Sequence, residues 1–206
     1  MKFDKLPINW FDLFLLVWLG LGLFRGRKRG MSAELLTFLE WVAIVFACGI
    51  LYQPLGKWLW QTSKVFGLMF SYIASYLVVA GGVAIIFVLG KRQFGGKLIG
   101  SDAFGKWEYY LGMPAGLLRF ACIMIALLAI LNARFYSEQE IQAEKNYQMK
   151  NYDSEFFPTL HTLQAGVFEQ SFTGPYLKKY LGFLLIESTG PGAGVKQYKQ
   201  KDWQSP

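Results

Sequence analysis

Three ionisable residues fall inside long apolar runs, Asp12, Glu40 and Arg119, and Glu34 stands at the edge of one such run. A lone charge in hydrocarbon costs on the order of 2.5–3.5 kcal/mol even on insertion scales, so each needs a partner, water or a neutral form. Counting 1.5 Å per residue from the starts of their runs puts Glu40 and Arg119 both roughly 10 Å deep from the same face. They are expected to meet between the second and fourth runs, either as a pair that fixes helix register or as part of a path for protons or ions. Asp12 enters from the opposite face, about 6 Å below it, and is expected to snorkel to the headgroups there.

Other residue types capable of chemistry lack the company that chemistry requires. His161 has no nearby Cys or second His with which to build a zinc site. Cys48 and Cys122 both lie in apolar runs and read as small hydrophobes. Gly95-Gly96-Lys97 lacks the phosphate-loop spacing and its following Ser or Thr, and Ser188 to Gly192 is a turn signal. The spans hold no paired aspartates and no Ser facing a His on another span. No enzyme activity, cofactor or metal site is therefore expected.

The elements that must position the charges are set by hydropathy. The chain has 206 residues, 53% hydrophobic and 17% aromatic, with mean hydropathy +0.28. The apolar residues concentrate in runs at about 8–24, 33–52, 68–90 and 113–132. A helix needs about 20 such residues to cross a hydrocarbon core about 30 Å thick. The expected fold is an all-α integral membrane protein, with a four-helix membrane domain over 1–132 and a short, partly helical extramembrane tail over 133–206. Arg25, Arg27, Lys28 and Arg29 directly follow the first run, where a cleavage site would need small residues, so that run is expected to remain as a signal anchor.

The net charge of +7 belongs entirely to residues 1–133, because the tail from Arg134 holds eight basic and eight acidic residues. That distribution points to topology signals and away from a nucleic-acid partner. Basic residues cluster after the first run and again after the third, at Lys91, Arg92, Lys97 and Lys106. The positive-inside bias then puts those two connections in the cytoplasm and both termini outside. Trp10, Phe11, Trp58, Trp60, Trp107, Tyr109 and Tyr110 stand where interfacial anchors belong. Gly112 and Gly116 form a small-residue packing face at the start of the fourth run, with Pro114 suited to its first turn. An apolar run, Gly and basic cluster occur twice, which would make two parallel-oriented hairpins if the echo reflects duplication.

In the tail, Ser137 to Glu140 has capping-box spacing, and a helix is expected from there toward Tyr147. Leu177, Leu181, Leu184 and Leu185 recur at helical spacing in a stretch too short to span, expected to pack on a partner or lie at the interface. Residues 190–206 read as a flexible end.

Asn9-Trp10-Phe11-Asp12 opening an apolar helix, then Arg25-Gly26, Arg29-Gly30, Glu34-Leu35-Leu36 and Trp41, resembles the colicin V production protein (CvpA) family of small bacterial inner-membrane proteins. Gly112, Gly116 and Leu117-Leu118-Arg119 are similar to that family's Gly-rich opening of its last helix, although Phe120 stands where the family often has Gly. The resemblance covers about residues 8–132. It implies four spans and a role in colicin V production or export or in cell-envelope maintenance, and, in fused forms, the anchoring of a periplasmic protease domain. It supplies no catalytic residue. The function expected is a scaffold or export accessory in the inner membrane, with a homo-oligomer or an export or envelope protein as partners beside the bilayer. The alternative is an oligomeric channel or transporter subunit using an intramembrane Glu-Arg pair.

Overall fold

A computed structural model of the chain describes residues 8–63, 67–100, 104–152 and 159–190. Four long helices come first: α1 (Trp10–Arg29), α2 (Met31–Ser63), α3 (Leu68–Gly100) and, after a 3-10 turn at Gly105–Trp107, α4 (Glu108–Asn132). Three short ones follow, α5 (Glu138–Tyr152), α6 (Leu160–Phe168) and α7 (Gly174–Leu181), the last running into a 3-10 turn at Gly182–Leu184. Among the described residues there is no strand, only an isolated bridge between Arg134 and Thr189.

Three segments are long and apolar enough to cross a membrane: Met31–Ser63, Leu68–Gln93 and Gly105–Asn132. α1 is not among them. Asp12 and Arg25 leave only twelve uncharged residues between them, about 18 Å of helix against a hydrocarbon core of about 30 Å.

Helix limits differ from the apolar runs because charge and aromatic content do not stop a helix. α2 continues past residue 52 through Pro54 to Ser63, and α4 starts at Glu108, so Tyr109 and Tyr110 belong to its first turn. Pro114 consequently lies in the second turn and not the first, and its missing N–H leaves the Tyr110 carbonyl without its helical donor.

The packing pairs are α2 with α3 and α1 with α4, and α2 also meets α4, whereas α1 touches α2 little. The helices on either side of the first basic cluster, α1 and α2, therefore pack mainly on α4 and α3 and not on each other. The core joins Ile44, Cys48 and Tyr52 of α2, Tyr72, Tyr76 and Val79 of α3, and Met124, Leu128 and Ala129 of α4 to Val167, Phe168, Leu185 and Ile186 of the tail. In that core the Cys48 thiol donates to the Tyr76 carbonyl at 3.4 Å, and Tyr52 meets Tyr72 edge-on.

The tail folds back on the helices. Ser137 and Glu140 exchange the two bonds of a capping box, each 3.3 Å, and start α5. Leu184 and Leu185 are buried, with Leu184 against Gly49 of α2, and Leu177 packs on the same core. Leu177, Leu184 and Leu185 of the leucine stripe are thus packed on the chain's own helices. Phe172, Tyr176, Tyr180 and Phe183 are exposed in its place. The expectation of a flexible end concerns residues almost all of which lie outside those described, as does the side chain of Lys97.

Candidate functional site: the charges among the helices

Arg119 and Glu34 form a buried ion pair between α4 and α2, with side-chain exposures of 6% and 0%. The other Glu34 oxygen lies 3.6 Å from the Arg29 guanidinium at the end of α1. Glu40, six residues further along α2, pairs with Lys91 of α3. The expected Glu40–Arg119 pair is therefore not formed. The reason is geometric: side chains lean toward the N-terminus of their own helix. Arg119 reaches back along α4 to the level of Glu34, while Glu40 lies about 9 Å further along α2.

The first and fourth helices are locked beside this pair by glycine. A Cβ on Gly26 would lie 2.1 Å from the Gly112 carbonyl oxygen, and one on Gly116 would lie 2.3 Å from that of Gly22. Backbone therefore runs against backbone, as small residues at four-residue spacing permit. Phe120, the departure from the family pattern, lies over Gly22. Its ring is 5.1 Å from that of Trp18, and its carbonyl accepts from the Trp18 indole N–H at 3.0 Å. The larger residue extends the α1–α4 seam where the glycines stop.

The turn between α1 and α2 needs one glycine for its backbone, Gly30, with φ of +80°. Glu108, first residue of α4, reaches across it. Its carboxylate accepts from the Ser32 backbone N–H at 2.8 Å and from the Ser32 hydroxyl at 2.9 Å. A carboxylate from a third element thus satisfies the start of α2, where the helix dipole favours negative charge.

Asp12 sits at the other end of α1 and does not snorkel to solvent. Its Oδ2 accepts from the backbone N–H of Asn9 at 3.0 Å and of Phe172 at 2.9 Å. Its Oδ1 accepts from the N–H and hydroxyl of Thr173, at 3.0 and 2.7 Å. One carboxylate thereby closes the cap of α1 and holds the start of α7. Asn9 adds a bond from its side-chain amide to the Gly166 carbonyl at 3.1 Å, and Trp10 lies against Gly166. Nearby, the Asn132 side chain donates to the Ile186 carbonyl at 2.9 Å, and Tyr52 accepts from the Glu187 N–H at 3.1 Å.

His161 meets Tyr136 edge-on at 5.5 Å, and the Arg134 guanidinium lies over the same ring at 4.6 Å. Burial pushes the Tyr136 hydroxyl up, against the lowering effect of Arg134.

Sequence reasoning missed Glu34, Glu108, Lys91, Gly26 and Thr173 as partners. Glu108 and Glu34 are acidic residues in first helical turns, a pattern open to sequence reading. Thr173 precedes Gly174-Pro175, a helix-start signal, but nothing local joins it to Asp12.

A family model described as Colicin V production protein matches residues 11–180. No curated protein and no solved structure matches the chain.

Proposed function

The chain belongs to the colicin V production protein family, and from that premise we propose that it is a non-catalytic scaffold or export accessory of the bacterial inner membrane. In this reading it supports colicin V-like toxin production or export, or cell-envelope integrity. α1 joins the three longer apolar helices as a fourth span, its charged ends reaching the two faces, and both termini lie outside the cytoplasm. The basic clusters at the C-terminal ends of α1 and α3 support that orientation.

The observation that carries the proposal is where the charges go. Arg119 is held by Glu34, Glu40 by Lys91 and Asp12 by the tail. Each acts as a fastener between elements, which suits a protein whose task is to hold a shape and present it to others. A conducting path would instead need such groups to line a common lumen.

The test is purification of the full chain from membranes in mild detergent, with mass measurement and identification of what travels with it. A stoichiometric export or envelope protein supports the scaffold. A large homo-oligomer that passes ions after reconstitution overturns it in favour of a channel.

A further inference from the structure

At the basic end of α1 the charges do not balance. Glu34 is one carboxylate shared by two guanidiniums, Arg119 and Arg29, and Arg25 stands one helical turn before Arg29 on α1. Arg25, Lys28 and Arg29 form the rim of a groove of about 750 Å³. Its apolar wall is Trp18, Leu21 and Phe24 of α1 with Phe120 of α4. A second groove, about 410 Å³, lies on the other flank, where Phe24 and Lys28 meet Arg27, Tyr109 and Tyr110.

Each groove thus joins an apolar wall along the helix to a cationic rim at its end. Chain-like apolar matter would lie along Trp18, Leu21 and Phe24, with a negative group at Arg25 and Lys28. The volume exceeds what a headgroup alone would fill. We propose that the groove at Trp18–Arg29 is a binding site for an anionic phospholipid, its phosphate on Arg25 and Lys28 and an acyl chain against Trp18, Leu21 and Phe120. The bound lipid supplies negative charge where Arg25, Lys28, Arg29 and Arg119 outnumber Glu34 and Glu108, and so bears on the same cluster that joins α1, α2 and α4. This inference rests on the placement of α1 in the membrane proposed above.

The experiment is native mass spectrometry of the full chain released from nanodiscs of equal phosphatidylglycerol and phosphatidylcholine. The unmodified protein should retain phosphatidylglycerol preferentially. Juxtamembrane basic residues contribute about fivefold in affinity each on anionic surfaces. R25Q/K28Q, at two exposed positions, should therefore lose most of the preference. R92Q/K106Q, which removes equal charge from exposed positions in the last turns of α3 and in the 3-10 turn after it, should keep it. Leu21→Trp, which fills the groove without changing charge, should also reduce retention. Equal losses from both double variants would overturn the site in favour of diffuse attraction. Displacement of the lipid by millimolar inorganic phosphate would overturn it in favour of a free-anion site. A Leu21→Cys variant labelled readily by a water-soluble maleimide would show instead that α1 lies outside the bilayer, and both the placement and the site would fall.

Discussion

The two ends of α1 hold their neighbours by opposite means. At the basic end the helix meets α4 through Gly22, Gly26, Gly112 and Gly116, and the charges beside that seam are buried in Glu34 and Arg119. At the other end Asp12 gathers four donors, three of them backbone N–H groups, and two of the residues involved belong to the tail. The first arrangement depends on a charged partner and fails when Arg119 is left without one. The second depends mostly on backbone donors, which a tail substitution removes only where proline replaces the donor residue, and beyond them only the Thr173 hydroxyl can be lost. Rigid helix joining and tail docking are thus built from different chemistry, and they should break differently.

The largest effect is expected from Glu34→Ala, which strands a guanidinium that cannot deprotonate. Breaking a buried pair costs about 3–5 kcal/mol, and folded yield in detergent should collapse. Arg119→Ala should be milder, because Glu34 keeps the Arg29 guanidinium 3.6 Å away.

Next comes Gly26→Val, whose side chain would meet the Gly112 backbone. Overpacking costs about 1–3 kcal/mol, and because the clash is with backbone the two helices must part. Introduced cysteines at the α1–α4 seam should then cross-link more slowly, while the α2–α3 pair is unaffected.

Asp12→Ala should release the tail without unfolding the four long helices, because bonds to a charged acceptor are worth about 1.5–3 kcal/mol. Limited proteolysis near residue 172 should accelerate and the membrane fragment should stay folded. Asp12→Asn should fall between the two, since its amide nitrogen cannot accept. The smallest effect belongs to Glu40→Ala, whose partner Lys91 is partly exposed and can reorient toward water, so a loss of about 1 kcal/mol or less in thermal stability is expected.

Much of this architecture is legible in the sequence, because apolar length and glycine spacing are local signals. α2, α3 and α4 follow from hydropathy, and Gly112 and Gly116 stand out by their spacing. The capping box at Ser137–Glu140 appears as its residue types dictate. The partners of the charges were not legible, because depth counted along separate helices ignores side-chain lean and the true helix starts. Counting α4 from residue 113 in place of Glu108 shifts its register by five residues, more than a turn. The docking of Phe172 and Thr173 on Asp12 joins residues 160 and 161 positions apart. No local pattern encodes that contact. Leu177 and Leu184 showed an apolar stripe but not what covers it.

A double-mutant cycle on Arg119 tests the central claim most directly, that Glu34 and not Glu40 holds the arginine at the α1–α4 seam. Folded fraction in detergent would be measured for Arg119→Ala combined with Glu34→Ala and, separately, with Glu40→Ala. The Glu34 cycle should show a coupling energy above about 1 kcal/mol, with the double variant closer to the unmodified protein than Glu34→Ala alone, and the Glu40 cycle should be additive within about 0.5 kcal/mol. Coupling in the Glu40 cycle with additivity in the Glu34 cycle would contradict the account.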